Sequence, residues 1–242
     1  MKIVSLVPSL TEALFDFGLT SEDVVGRTKF CIHPAQEVKN VQVIGGTKNL
    51  HLEKIKALNP DLILASKEEN DQFQVEELMR DFKVWVTDIA TLEDNRSFLT
   101  HLGKLMNKRE TAENYNRKID GVFSGFNVDQ PKKVAYLIWK NPYMTVGSDT
   151  FIHDIIEKLG FENMFGCRTR YPEISVGEMS GADYIFLSSE PFPFNEKHAG
   201  ELQDVLPTAK IIPVDGEAFS WYGTHLAKCS AYFKALISED IE

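Results

Sequence analysis

Short apolar segments alternate with amphipathic ones along most of this chain, and this alternation restricts the fold more than any other feature. The runs KIVSLVP, DLILA and KVWVTD are short and rich in branched residues, which is typical of buried strands. Amphipathic stretches such as SLTEALFDFG and QVEELMRDF lie between them, with apolar residues three and four positions apart. Strands and helices in alternation predict an α/β fold with parallel-type sheets.

The chain divides into two similar halves joined by one long helix. The segments ALNPDLILASKEEN and MSGADYIFLSSEPF each contain a short helix, an aspartate, an apolar strand, a serine and an acidic turn. Between them, apolar residues at helical spacing predict two helices separated by the polar stretch NKRET. We therefore predict an N-terminal lobe at 1–106, a connecting helix at 107–127 and a C-terminal lobe at 128–242, with a ligand cleft between the lobes.

Composition and charge exclude several classes of function. Hydrophobic residues make up 43% of the 242 residues and charged residues 26%, which is the balance of a globular protein. The formal net charge of −10 argues against a nucleic-acid partner, because binding phosphates requires a basic face. No apolar run approaches the roughly 20 residues that span a bilayer, so we expect no membrane-spanning segment.

The start of the chain and its cysteines bear on its compartment. The stretch MKIVSLVPS passes directly into a strand-like segment and lacks the features of a secretory signal. The three cysteines are far apart in the sequence and form no disulfide framework. We expect a cytoplasmic protein on these grounds, or a periplasmic or cell-surface one if a leader has been removed.

The first helix carries a sequence signal for its start. Ser9 and Glu12 have the spacing of a capping box, in which the serine caps the helix and the glutamate reaches back to it. Gly18 follows the last apolar residue and marks the end. We predict that this helix begins at Ser9, directly after the first strand.

The loops that follow the predicted strands contain many large apolar residues. Ligands bind beyond the carboxyl ends of the strands in open α/β sheets. An exposed loop has little reason to carry such side chains, so we predict an aromatic-lined pocket, the alternative being a satellite core beneath each loop. These residues are Phe30, Trp139, Tyr143, Met144, Phe192, Phe194, Phe219, Trp221 and Tyr222.

Positive charge collects in the same loops. In a chain of net charge −10, it indicates an anionic group on the ligand, although solvated cations at the pocket rim explain it equally well. The residues are Lys29, Lys48, Lys67, Lys140, Arg168 and Arg170.

The stretch TKFCIHP places Cys31 two residues before His33 and leaves three interpretations open. Cys31 could be a nucleophile with His33 as its base and Glu68 or Glu69 nearby, but no oxyanion motif accompanies the pair. Cys31, His33 and His225 could instead bind a metal ion, although a zinc site needs four ligands in a recognisable spacing. We favour a third interpretation, in which the stretch forms part of a pocket wall.

Four segments carry a likeness to a known family: IVSLVPSLTEALFDFG, GGTKNLHLEKIKALNPDLILAS, NPYMTVGSDTFIHDIIEKLGFENMF and AKIIPVD. With them, nearly the whole chain resembles the helical-backbone (class III) substrate-binding proteins of ABC importers. Within that family it resembles most the cobalamin-binding protein and the siderophore- and haem-binding receptors. The resemblance implies two Rossmann-like lobes joined by a single helix. It also implies a non-enzymatic protein that holds a corrinoid or a metal chelate between the lobes and requires no cofactor.

The strand-end loops and the resemblance together nominate the ligand-binding residues. They are Ser9, Phe30, Cys31, His33, Thr47, Lys67, Glu69, Asn70, Trp139, Tyr143, Arg170, Tyr171, Glu190, Phe192, Phe219, Trp221 and Tyr222.

The resemblance also implies a partner, because importers of this family dock onto their permease through one exposed glutamate on each lobe. Gln72 and Ser220 stand nearest to those positions here, and Glu69 and Glu217 are the neighbouring acidic residues. The imperfect match favours a cytosolic relative that keeps the binding cleft without a transporter.

Overall fold

The computed structural model describes residues 1–126 and 130–238, and it has the alternating strands and helices that the sequence predicts. The chain forms two compact units, and each unit combines distant parts of the sequence. The first unit comprises Met1–Ile89, Glu93–Ile119 and Tyr222–Lys228. The second comprises Ala90–Leu92, Asp120–Trp221 and Cys229–Glu242.

The first unit is built on a parallel sheet, which has five strands in the described residues, in the spatial order β3-β2-β1-β6-β7. A short antiparallel hairpin, β4–β5, lies outside this sheet. Strands β1 and β6 are buried along their whole length, as expected of central strands covered on both faces. The strands are β1 (Ile3–Ser5), β2 (Val24–Arg27), β3 (Gln42–Val43), β4 (Gly45–Gly46), β5 (Asn49–Leu50), β6 (Leu62–Ser66) and β7 (Val84–Thr87).

Five helices accompany these strands in residues 1–126: α1 (Pro8–Asp16), α2 (Leu52–Leu58), α3 (Gln72–Met79), α4 (Leu92–Leu105) and α5 (Arg109–Val122). The long helical region therefore consists of two helices, as its apolar spacing predicts. Residues up to Ile119 of α5 belong to the first unit, and its last residues belong to the second. The predicted boundary at 127 and 128 lies outside the described residues, and the predicted division into lobes stays a prediction.

The second unit contains a second parallel sheet, which has four strands in the described residues, in the order β10-β8-β12-β13. Strands β9 and β11 pair separately as an antiparallel hairpin. The strands are β8 (Lys133–Leu137), β9 (Tyr143–Met144), β10 (Glu162–Asn163), β11 (Glu173–Ile174), β12 (Tyr184–Ser188) and β13 (Lys210–Val214). The helices are α6 (Phe151–Lys158), α7 (Glu196–Val205), α8 (Gly216–Ser220) and α9 (Ser230–Ser238).

The start of α1 differs from the prediction, and the capping box at Ser9 and Glu12 is wrong. The helix begins at Pro8, with Val7 in the extended cap position. Proline suits the first helical position because its fixed φ fits the helix and its missing N–H would have no partner there. Ser9 and Glu12 therefore lie inside the helix, and the Glu12 side chain is used elsewhere.

Residues Tyr222–Lys228 belong to the first unit although they come late in the chain. The Asn95 side chain on α4 binds both backbone groups of Gly223, accepting from its N–H and donating to its carbonyl at 3.2 Å. Thr224 donates its hydroxyl proton to Asp16 on α1 at 2.6 Å. Side chains from two helices thus hold this segment, a pairing that local sequence patterns do not reveal.

Candidate functional site

A surface depression of about 500 Å³ lies in the first unit beside the loop that follows β2. We call it the hairpin pocket, because β4, β5 and their connecting turn form one wall. Its position beyond the carboxyl end of a parallel strand is where open α/β sheets bind ligands. The lining residues are Lys29, Phe30, Val43, Gly45, Gly46, Thr47, Lys48, Asn49 and His51.

Backbone geometry fixes the hairpin that forms this wall. Gly45 has φ of +118°, and a Cβ there would lie 2.4 Å from the Asn49 carbonyl oxygen. A side chain is therefore excluded at this position. The Lys29 N–H donates to the Gly45 carbonyl at 2.8 Å, which attaches the hairpin to the loop that carries Phe30.

Asn70 supports the hairpin by a hydrogen bond to its turn and is almost fully buried. Its Oδ1 accepts a hydrogen bond from the Ser66 N–H at 2.8 Å. Its Nδ2 donates to the carbonyls of Thr47 and Leu6, at 3.1 and 3.2 Å. Because these bonds occupy both ends of the amide, Asn70 acts as a support for the pocket, whereas the sequence predicted a direct ligand contact.

Phe30 presents an aromatic surface at the pocket, since 50% of the residue remains exposed. A Cβ on Gly46 would lie 3.3 Å from the Phe30 ring, so the ring packs closely against β4. A large apolar group held against a fixed hairpin with half of its surface uncovered is typical of a ligand contact.

Cys31 lies beneath this surface and has no exposed area. Its Sγ is 3.1 Å from the Thr11 hydroxyl and 3.2 Å from the Thr28 hydroxyl. Burial raises the pKa of the Cys31 thiol, and the hydrogen bonds from the two threonines only partly oppose this effect. A nucleophilic cysteine requires a lowered pKa, so the environment of Cys31 is that of a structural thiol.

The two histidines proposed with Cys31 are neighbours of each other. The ring centroids of His33 and His225 lie 6.5 Å apart. Within 1–126 and 130–238, however, no three His, Cys, Asp or Glu side chains come together as a set that could hold a metal ion. The structure therefore does not bring Cys31, His33 and His225 together as metal ligands.

His225 belongs to a buried charge cluster that the sequence analysis missed. Glu12 on α1 accepts hydrogen bonds from His225 Nδ1 and Lys228 Nζ, each at 2.8 Å. Lys228 also pairs with Asp16 at 2.9 Å. Burial acts to raise the pKa of Glu12, but the bonds from His225 and Lys228 outweigh it, so the pKa is lowered. The partners are more than 200 residues apart in the chain, and no local spacing could have indicated them.

Tyr222 and Glu69, both predicted as ligand contacts, are joined by a side-chain hydrogen bond within the first unit. The Tyr222 hydroxyl donates to Glu69 Oε1 at 3.0 Å. Burial raises the pKa of Tyr222 well above its ordinary value, with the charge of Glu69 adding to the effect, so the phenol remains a donor.

Ser9, also predicted as a ligand contact, has a buried hydroxyl without a hydrogen-bond partner among the described residues. Lys67, another predicted ligand contact, forms an exposed ion pair with Asp88 at 2.6 Å.

In the second unit, the aromatic residues separate into a surface group and a core group. Trp139 is 40% exposed and packs edge-on against Phe192, with ring centroids 5.6 Å apart. Phe192 in turn contacts Phe194, which belongs to the hydrophobic core. Trp139 therefore fits the predicted aromatic surface, and Phe194 fits the alternative of a core beneath the loop.

Phe219 is a core residue, and its prediction as a ligand contact requires correction. It is completely buried, and its ring packs against Tyr136, Phe186 and Phe233 at centroid distances of 5.1–6.0 Å. Its position in a strand-end loop suggested exposure, but α8 turns this side chain into the interior.

Glu190 is the acidic residue among the predicted contacts of the second unit, and its pKa is shifted. Its Oε1 accepts hydrogen bonds from the Ser220 hydroxyl at 2.8 Å and from Trp221 Nε1 at 3.1 Å. Burial raises the pKa of Glu190, and the negative charge of Glu217 adds to this effect. Both of these donors are neutral, so neither supplies a positive charge that would offset the cost of ionising Glu190.

The remaining predicted contacts of the second unit lie at its surface. Tyr143 is half-buried against the core cluster. The Arg170 guanidinium lies 5.5 Å from the Tyr171 ring centroid, with Arg170 at φ of +60°. These residues stay predicted ligand contacts.

The acidic residues proposed for docking are partly engaged within the protein. Glu69 accepts the Tyr222 hydrogen bond, and the Ser220 hydroxyl donates to Glu190. Gln72 donates to Glu76 at 2.7 Å on the same helix. Docking through Glu69 and Glu217 stays a prediction. No helix within the described ranges has the length and apolar character needed to cross a membrane.

Comparison with known sequences places these features in a family. The sequence profile described as periplasmic binding protein matches residues 3–207. Among curated proteins, the vitamin B12-binding protein of Salmonella typhimurium is 27% identical over 180 residues, which cover 72% of this chain and 66% of the relative. The match thus spans slightly less than two thirds of that relative's length.

Solved structures show the same fold. The periplasmic vitamin B12-binding protein BtuF of Vibrio cholerae superposes with a TM-score of 0.81 at 16% identity, covering 100% of this chain and 98% of that one. The periplasmic haem-binding protein HutB of Vibrio cholerae gives a TM-score of 0.78 at 20% identity, covering 98% of each chain. At these identities the likeness concerns the fold alone.

Proposed function

Since this chain belongs to the periplasmic binding protein family, we propose that it is a non-enzymatic binding protein for a bulky small molecule of the corrinoid or metal-chelate class. The ligand is cargo, which the protein holds unchanged as the solute-binding component of an ABC importer would. The names of the relatives, vitamin B12-binding and haem-binding, support these two ligand classes.

The observation that carries the proposal is the exposed Phe30 ring at the hairpin pocket. Corrins and porphyrins have wide apolar faces, and an aromatic ring with half of its surface uncovered offers a matching contact. The hairpin is fixed by backbone hydrogen bonds and by Asn70, so little ordering is required when a ligand binds.

The state of Cys31 supports a binding role over the alternative of a Cys31 and His33 enzyme. A buried thiol whose pKa is raised stays protonated at neutral pH and is a poor nucleophile.

The cytoplasmic location expected from the start of the chain stays a prediction.

Isothermal titration calorimetry with cyanocobalamin, haem and a ferric hydroxamate tests the proposal. We expect one class to bind, and Phe30→Ala to weaken it about tenfold or more, as loss of an aromatic contact at the centre of an interface does. Phe73→Ala is the matched control, because Phe73 is 80% exposed in the same unit and does not line the pocket. Absence of binding by every class, or equal weakening by Phe73→Ala, would contradict the proposal.

A further inference from the structure

We infer that the hairpin pocket selects ligands that carry a carboxylate or phosphate beside a flat apolar body. This inference rests on the proposed function and adds the charge of the ligand to it. Its basis is a pair of lysines that line the same cavity as Phe30 and that pair with no carboxylate in the described part of the chain.

Lys29 places its ammonium group at the aromatic surface. Its Nζ lies 4.9 Å from the centroid of the Phe30 ring, which is a cation–π contact, and no carboxylate among the described residues forms an ion pair with it. A Cβ on Gly46 would lie 3.6 Å from Lys29 Cε, so β4 supports this side chain as well as the ring. A planar ligand placed on Phe30 would therefore bring its edge near an ammonium group.

Lys48 supplies a second charge from the hairpin turn. Its Nζ donates to the backbone carbonyls of Glu68 and Asn70, at 3.0 and 3.4 Å. These neutral acceptors orient the ammonium and leave one of its three N–H groups available. The Lys48 side chain is thus held in place by two uncharged acceptors.

Some other lysines of the same unit do pair with carboxylates, whereas Lys54 on α2, like Lys29 and Lys48, pairs with none in the described residues. Lys56 lies 3.3 Å from Glu77, Lys67 lies 2.6 Å from Asp88, and Lys228 lies 2.8 Å from Glu12. In a chain of net charge −10, acidic partners are plentiful. Two ammonium groups at one cavity, neither paired with a carboxylate in the described residues, favour an anion there, because a carboxylate or phosphate would form charge-assisted hydrogen bonds with them.

Matched ligand pairs test the inference. Haem is compared with its dimethyl ester, which lacks both free carboxylates. Dicyanocobinamide, which lacks the nucleotide phosphate of cyanocobalamin, is compared with its phosphate ester. If only the ferric hydroxamate binds, its neutral and carboxylated forms are compared. The variants are Lys29→Gln and Lys48→Gln, with Lys54→Gln on α2 as control, since Lys54 is exposed and does not line the pocket. Affinities are measured by calorimetry at low and high salt.

We expect the anionic member of a pair to bind at least about fivefold tighter, and each pocket variant to reduce this preference while the neutral member is affected less than about twofold. Added salt should weaken only the anionic member. Lys29→Gln is the decisive variant, because the Lys29 side chain makes no hydrogen bond in the described residues and its loss should leave the fold intact.

Equal binding of both members of a pair, or an equal loss in Lys54→Gln, overturns the inference and leaves the proposed function standing. Absence of binding by every compound contradicts the proposed function, and the inference then fails with it.

Discussion

At the scale of single residues, the buried Glu12 and the partly buried Glu190 show how partners decide the charge of a carboxyl group. Glu12 accepts hydrogen bonds from His225 and Lys228, and these bonds lower its pKa despite burial. Among the described residues, the Glu190 carboxyl accepts bonds from the uncharged side chains of Ser220 and Trp221, so burial prevails and its pKa is raised. The two groups therefore link folding to pH in opposite directions.

The substitutions Glu12→Gln and Glu190→Gln should change the pH dependence of stability with opposite signs. The lowered pKa of Glu12 contributes stability above the ordinary value of 4.5, which is lost as the pH falls through the folded pKa. The raised pKa of Glu190 contributes stability below 4.5, which is lost as the pH rises through its folded pKa. Urea unfolding from pH 3.5 to 8 measures both slopes.

At neutral pH, Glu12→Gln should lower the free energy of unfolding by about 2 kcal/mol, because it removes two charge-assisted hydrogen bonds. The loss of unfolding free energy caused by Glu190→Gln should become smaller as the pH rises, because in the wild type Glu190 then ionises in its partly buried position. Parallel pH profiles for the two variants would contradict these assignments.

At the scale of elements, the contact between α4 and α5 depends on one glycine. A Cβ on Gly103 would lie 2.6 Å from the Ala112 Cβ and 3.1 Å from the Lys108 carbonyl oxygen. The two helices therefore meet at a distance that only glycine permits, just before the tight connection between them. Helical spacing alone does not show that Gly103 is required, because a glycine inside a helix usually costs stability.

Gly103→Ala should destabilise the protein by about 1–3 kcal/mol, because the added methyl group forces the helices apart. Gly121→Ala in α5 is the matched control, since a Cβ there has no heavy atom within 4 Å. That change should be neutral or stabilise the helix by up to about 1 kcal/mol. Thermal and urea unfolding compare the two variants, and equal effects would show that the contact is unimportant.

At the scale of the whole molecule, binding and stability are coupled by mass action. A ligand that binds only the folded protein raises the free energy of unfolding by about 2.7 kcal/mol when its free concentration is a hundred times its dissociation constant. We therefore expect the compound that binds in calorimetry to raise the melting temperature in a concentration-dependent manner. Phe30→Ala should need proportionally more ligand for the same rise, and Phe73→Ala should not.

An unchanged melting temperature at saturating ligand would mean that the compound binds the unfolded chain equally well. It would count against a specific site in the folded protein.

The sequence determined the α/β class, the parallel sheets and the family likeness. Strand and helix patterns involve only residues that are close together in the chain, so runs such as DLILA show them directly. It also indicated Phe30 as a surface aromatic, since strand-end loops in this class lie where ligands bind. Only the tertiary structure decided that Phe219 is core, that Asn70 supports the hairpin, and that Glu12 pairs with His225 and Lys228. The reason is physical: burial and charge pairing depend on which distant segments pack together, and the contact between residues 12 and 225 leaves no periodic trace in the chain.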